Sequence, residues 1–176
     1  MDLQSVYTVL LRIAKRDGWK VRHCRVPNDS FGDIEVTTHM IRVSKSSGIN
    51  QRITTLAHEL LGHGSQYSEL LDYKLRLHGD KKKVSRARAK RMERYQWYIV
   101  DYQNDGPYSA KLMRIVEFCE VDASKRAKRE LIKLFPETKA YFDSGSLSFD
   151  ELGDVDTMKA MREGWKRVMF KDCRSR

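Results

Sequence analysis

Twelve residues constrain this chain more than any others: Thr54-Thr55-Leu56-Ala57-His58-Glu59-Leu60-Leu61-Gly62-His63-Gly64-Ser65. Ile53, Leu56, Leu60 and Leu61 recur at helical spacing, so the stretch reads as a buried helix from Gln51 onward, with Asn50 as its N-cap. Into that apolar setting it places His58, Glu59 and His63, and three buried polar groups are costly unless they share a task. A histidine followed at once by glutamate, with a second histidine just over a turn later, is how a helix builds a zinc peptidase site. Neutral imidazoles suit zinc, and the intervening glutamate can act as general base on a zinc-bound water. The spacing adds a further constraint. Histidines four apart are offset by about 40° around an ideal helix, but five apart they are offset by about 140°. Two nitrogens so far round the helix cannot both sit about 2 Å from one ion. The sequence therefore predicts a local unwinding or a π-type bulge between His58 and His63, with Gly62 as the residue where the backbone deforms most cheaply.

A catalytic zinc takes three protein ligands and leaves a position for water. The distant candidates for the third are His23, His39 and His78, and the acids Glu117, Glu120, Asp122 and Glu130 of a long helix expected from about Ser109 to Leu134. The apolar face of that helix holds Leu112, Val116, Cys119, Ala123, Ala127, Leu131 and Leu134. At about 100° per residue, Glu120 lies about 50° from the centre of this face and Glu117 about 110° away. Glu120 is thus the carboxylate aimed at the core, and the small side chains of Ala123 and Ala127 would let a second helix approach closely.

The other elements predict an α+β fold, mainly helical, with a small N-terminal β-hairpin or sheet, in one domain spanning residues 1–176. A helix over 3–16 comes first and stops at Gly18. Strand-like runs from Trp19 to Val26 and from Ile34 to Ser44 follow, pairing as a hairpin. Further helices are expected over 66–77, 85–100, 109–134 and 157–171, with Asn104-Asp105-Gly106-Pro107 as punctuation. No stretch approaches the 18 apolar residues of a membrane span. The N-terminus lacks the basic, then apolar, pattern of a signal peptide, and three cysteines without metal spacing fit a reducing compartment. A cytoplasmic protein is the expectation. The net charge of +10 is concentrated in Lys81, Lys82, Lys83, Arg86, Arg88, Lys90, Arg91 and Arg94, opposed there only by Glu93. This run could contact nucleic-acid phosphates or an acidic protein surface, or be a solvated helix face.

The region from Ile34 to His63 resembles the compact ImmA/IrrE-like metallopeptidases, in which a strand and short loop lead into a Thr-Leu-Ala-His-Glu helix. The second motif of that family, a ligand glutamate with alanines three and seven residues on, is matched by Glu120, Ala123 and Ala127. The family often carries an acid or asparagine after the first alanine, where this chain has Ser124. His58-Glu59-Leu60-Leu61-Gly62-His63, with Gly64-Ser65, is also similar to the signature of dipeptidyl peptidase III, which shares the five-residue histidine spacing. The resemblance covers roughly residues 31–136. It implies a zincin-like domain, Zn2+ held by His58, His63 and Glu120, Glu59 as general base, and a peptide or protein substrate. Tyr67, His78 and Tyr141 are candidate donors to the oxyanion. The rival expectation is a nucleic-acid-associated or phage-type interaction protein with a structural or vestigial zinc site.

Overall fold

The computed structural model describes residues 2–26, 31–79, 84–101 and 110–149. Helix α1 spans Leu3–Arg16, where Asp2 caps the N-terminus by accepting from the Ser5 amide. Its apolar stripe of Val6, Tyr7, Leu10 and Ala14 is buried, and Gly18, at φ +84°, turns the chain out of the helix. Strand β1 follows at Lys20–Cys24, then β2 at Gly32–Glu35 and β3 at Met40–Ser44.

The sheet differs from the expected hairpin. The run from Ile34 to Ser44 is not one strand. It folds on itself through residues 36–39, where His39 adopts φ +52°, and β2 pairs antiparallel with β3 so that Ile34 faces Ile41. β1 then lies parallel to β3, giving the order β1-β3-β2. Buried Val36 draws the turn against the core, and the polar Thr37 and Thr38 are left at the surface. β2 is consequently an outer strand.

Helix α2, Ile49–Ala57, begins one residue before the expected N-cap, and Gly48 fills that position. It does not stop at Gly62 or Gly64. It continues as a π-helical segment, His58–His63, and resumes as α3, Gly64–Gly79. Helix α4, Arg86–Tyr95, also runs on into a π-helical segment, Gln96–Asp101. Helix α5, Ala110–Leu134, is the longest, and α6, Thr138–Asp143, closes the described chain. The expected helix at 157–171 and the turn at 104–107 lie outside the described residues.

One core unites these elements. Val6, Leu10, Ile41, Ile53, Leu56, Tyr95, Cys119, Ala127 and Leu131 all belong to it. Cys24 and Cys119 are both free thiols. The fold is α+β and mainly helical, and among the described residues no helix is long and apolar enough to cross a membrane.

Candidate metal centre

The centre is built where α5 crosses the first π segment. A β-carbon at Gly62 would stand 2.7 Å from the Ala123 carbonyl oxygen and 2.9 Å from the Ala123 side chain. Gly62 is therefore needed for close approach rather than for an unusual backbone angle. Ala123, at this contact, and Ala127, one turn further along α5, are both fully buried. The π geometry performs the task that the spacing demanded. With the Gly64 amide bonded to the carbonyl of Glu59, five residues back, one widened turn brings His58 and His63 onto the same face.

There the two Nε2 atoms lie 3.1 Å apart. Glu120 reaches them from α5, with Oε2 3.0 Å from His58 Nε2 and Oε1 3.3 Å from His63 Nε2. A tetrahedral ion with bonds of about 2.0–2.1 Å sets its ligand atoms about 3.3 Å apart. The His58–His63 separation and the nearest carboxylate contact of each histidine are close to that value, and His58, His63 and Glu120 form a group that could hold one ion. Both histidines are buried, while Glu120 retains slight exposure.

The electrostatics are those of a coupled group. For His63, burial opposes a proton, but the adjacent Glu120 carboxylate outweighs it and pushes the pKa up to about 9. For Glu120, burial favours the neutral acid, but the charge on His63 and the hydrogen bonds of both histidines hold its carboxyl well below the usual range. Glu59 is also buried, and that burial raises its pKa. The two histidines pull it back, while Glu120 and Asp33 add to the rise. A carboxylate lifted in this way is suited to taking up a proton.

Glu59, His63 and Glu120 open onto a cleft of about 680 Å³, walled on one side by Gly32 to Glu35 of β2 and on the other by Tyr98 and Ile99. Asp33 accepts from Arg42 at 2.7 Å on the β2 wall. The Tyr98 hydroxyl donates to Glu120 Oε1.

Behind the histidines the polar atoms are also partnered. His58 Nδ1 meets Ser124 Oγ at 3.1 Å. His63 Nδ1 meets Gln66 Oε1 at 3.0 Å. From Gln66 a network continues through Asp122, Tyr95, Arg126 and Glu69 to Arg91 on α4.

The other sequence candidates lie elsewhere. His23 is bonded to the Tyr7 hydroxyl, and His39 packs on Trp19. Tyr67 joins His39 and Trp19 along a separate groove of about 660 Å³, away from the donors. Tyr141 packs against the core, and the His78 side chain lies outside the described residues. Asp122 serves the network, Glu130 pairs with Arg129 and Lys133, and Glu117 is not part of the donor group. Of the basic run, Lys81, Lys82 and Lys83 lie outside the described residues. Arg86 and Lys90 are exposed and Arg88 is half-buried. Arg91 is engaged with Glu69, and Arg94 sits over the Phe118 ring.

Sequence reasoning missed Gln66 and Tyr98. Gln66 stands three residues after His63 on the same helix, a spacing that puts the two side chains on one face and could have revealed it. Tyr98 carries no local signal, because only the tertiary fold brings it to Glu120. Comparison with known proteins finds no matching family model, no matching curated protein and no matching solved structure.

Proposed function

We propose that the chain is a zinc-dependent metallopeptidase. The observation that carries this reading is the placement of buried Glu59 beside the group of His58, His63 and Glu120, with Glu59, His63 and Glu120 opening onto one cleft. Two imidazoles and a carboxylate are a zinc donor set, and three protein ligands with an open side fit a catalytic site better than a structural one, which is closed by four. An ion held there would acidify a water and polarise a carbonyl. Glu59 takes the proton from the attacking water and delivers it to the leaving amine. Tyr98, on the cleft wall, has one hydroxyl proton, which it gives to Glu120 Oε1, and it can serve the developing oxyanion only by turning that proton away from the carboxylate. An extended peptide can lie along the outer strand β2, adding main-chain pairing to the sheet.

Elemental analysis of protein purified without added metal should find about one zinc per chain. Glu59→Gln should keep the zinc and the melting temperature while turnover of a quenched fluorescent peptide mixture falls by roughly 10²–10⁴-fold. Little zinc with no uptake on titration would sink the reading, as would full activity in the glutamine variant.

A further inference from the structure

Gln66 is fully buried, and the two ends of its amide meet different partners. Nε2 lies 2.9 Å from the Cys119 main-chain oxygen and 3.0 Å from Asp122 Oδ2. Oε1 lies 3.0 Å from His63 Nδ1. A main-chain carbonyl can only accept. Asp122 is held as an acceptor too, since the same Oδ2 receives the Tyr95 hydroxyl at 2.6 Å and Arg126 Nε at 2.8 Å. The amide must therefore turn its NH2 towards these two oxygens. That leaves its own oxygen facing the imidazole, and an amide oxygen accepts without donating. His63 Nδ1 must carry a proton. In the neutral ring the lone pair is then on Nε2, the atom that faces His58 and Glu120. His58 is under no such constraint, because the Ser124 hydroxyl beside its Nδ1 can donate or accept.

We propose that Gln66, locked by Asp122 and the Cys119 carbonyl, is a positioning residue that fixes the tautomer of His63, keeping a proton on Nδ1 so that the ring can lose its other proton only from Nε2, the atom that faces a metal. The proposal rests on reading the three donors as a metal centre. Without the lock, a neutral His63 could carry its proton on Nε2, and metal binding would first have to move it. Partners of this kind behind a ligand histidine are worth about 10–100-fold in metal affinity.

Two variants separate positioning from packing. Gln66→Leu keeps the volume and removes the acceptor. Gln66→Glu keeps an oxygen facing Nδ1 but sets a second oxygen against Cys119 and Asp122, so for packing it is the harsher change. Zinc affinity is read by competition with a chromophoric chelator, with melting temperature measured on the same samples. Gln66→Leu should lose about 10–100-fold in zinc affinity, and Gln66→Glu should stay nearer to wild type while melting lower. Ring-nitrogen NMR of the metal-free wild type at alkaline pH, where the imidazole is neutral, should place the His63 proton on Nδ1. The proposal is overturned if Gln66→Leu binds zinc as wild type does, if affinity follows the order of melting temperatures, or if the proton sits on Nε2. Should Gln66→Leu not fold, the wild-type ring spectrum decides alone. A wild type that takes up no zinc but holds the proton on Nδ1 would defeat the metal reading and leave the tautomer assignment standing.

Discussion

Among the described residues two helices leave α geometry, at His58–His63 and at Gln96–Asp101, and the two departures serve one site in different ways. The first is buried almost throughout and supplies two of the three donors itself. The second is only partly buried, and it supplies the Tyr98 hydroxyl to the third donor. They meet at Glu120, which takes imidazoles on one side and a phenol on the other. The contrast separates two uses of the same distortion. In the first segment the widened turn creates the site, because no α-helical turn could align residues five apart. In the second it adjusts a side chain at the edge of a site that already exists. If that is right, the centre should tolerate damage to the second segment far better than damage to the first or to Glu120.

The largest effect should come from the meeting point. Glu120→Ala removes a direct donor and the carboxylate that pairs with both His58 and His63. Zinc affinity should fall by more than about 100-fold, since partners one step further out are already worth 10–100-fold. Chelator competition measures it. Retention of wild-type affinity would show that another group completes the set and that the two segments do not converge where the geometry places them.

Acidity should distinguish the segments almost as sharply. In the metal-free protein the His63 proton is held beside Glu120 with a pKa pushed up to about 9. That folded value exceeds the ordinary histidine value of about 6.5. The stability it contributes is therefore fully present below about pH 6.5 and is lost as pH rises through about 9. Zinc must displace this proton, so affinity should rise by up to about tenfold per pH unit as pH 9 is approached, then level off. Calorimetry in buffers of different ionisation enthalpy would count the protons released. A flat affinity between pH 7 and 9 would contradict the assignment to His63.

A third change probes the contact beneath the first segment. The added methyl of Gly62→Ala falls against the main chain of Ala123, which cannot rotate aside. Overpacking of this kind costs about 1–3 kcal/mol. Because the displaced helix carries Glu120, zinc affinity should fall with stability. Denaturant unfolding with and without zinc reads both effects. An unchanged midpoint would mean that α5 does not need the close approach.

The unequal legibility of the two segments has a physical origin. His58 and His63 declare the first bulge because two side chains able to bind one metal, set out of α-helical phase, make sense together only if the helix is deformed between them. Glu120 was legible for a related reason, as a carboxylate turned towards an apolar face above two alanines. Nothing similar marks Gln96–Asp101, whose aromatic and branched residues suit an α-helix as well as a π-helix. The sheet was misread at one point for want of a strong turn signal. Thr37-Thr38-His39 contains neither glycine nor proline, yet His39 takes up the left-handed angle that reverses the chain. The half-buried network behind His63 was invisible because it joins residues from α3, α4 and α5 that tertiary packing alone brings together.

The smallest effect on the metal should come from Tyr98→Phe, and it tests the edge role of the second segment most directly. The substitution removes one hydroxyl and keeps the ring that packs near His63. Glu120 loses a donor on Oε1 but keeps both imidazoles, so zinc affinity should fall by no more than about tenfold, the lower end of the range for outer partners. Turnover should respond differently. A hydroxyl that donates to a developing oxyanion is worth about 10²–10³-fold in rate, and that loss should appear in kcat with little change in KM, because the interaction is made in the transition state. If zinc affinity falls as far as in Glu120→Ala, Tyr98 belongs to the centre itself and the two π segments share one role. If neither zinc affinity nor kcat moves, the hydroxyl only completes the hydrogen bonding of Glu120, and the second π segment acts through packing alone.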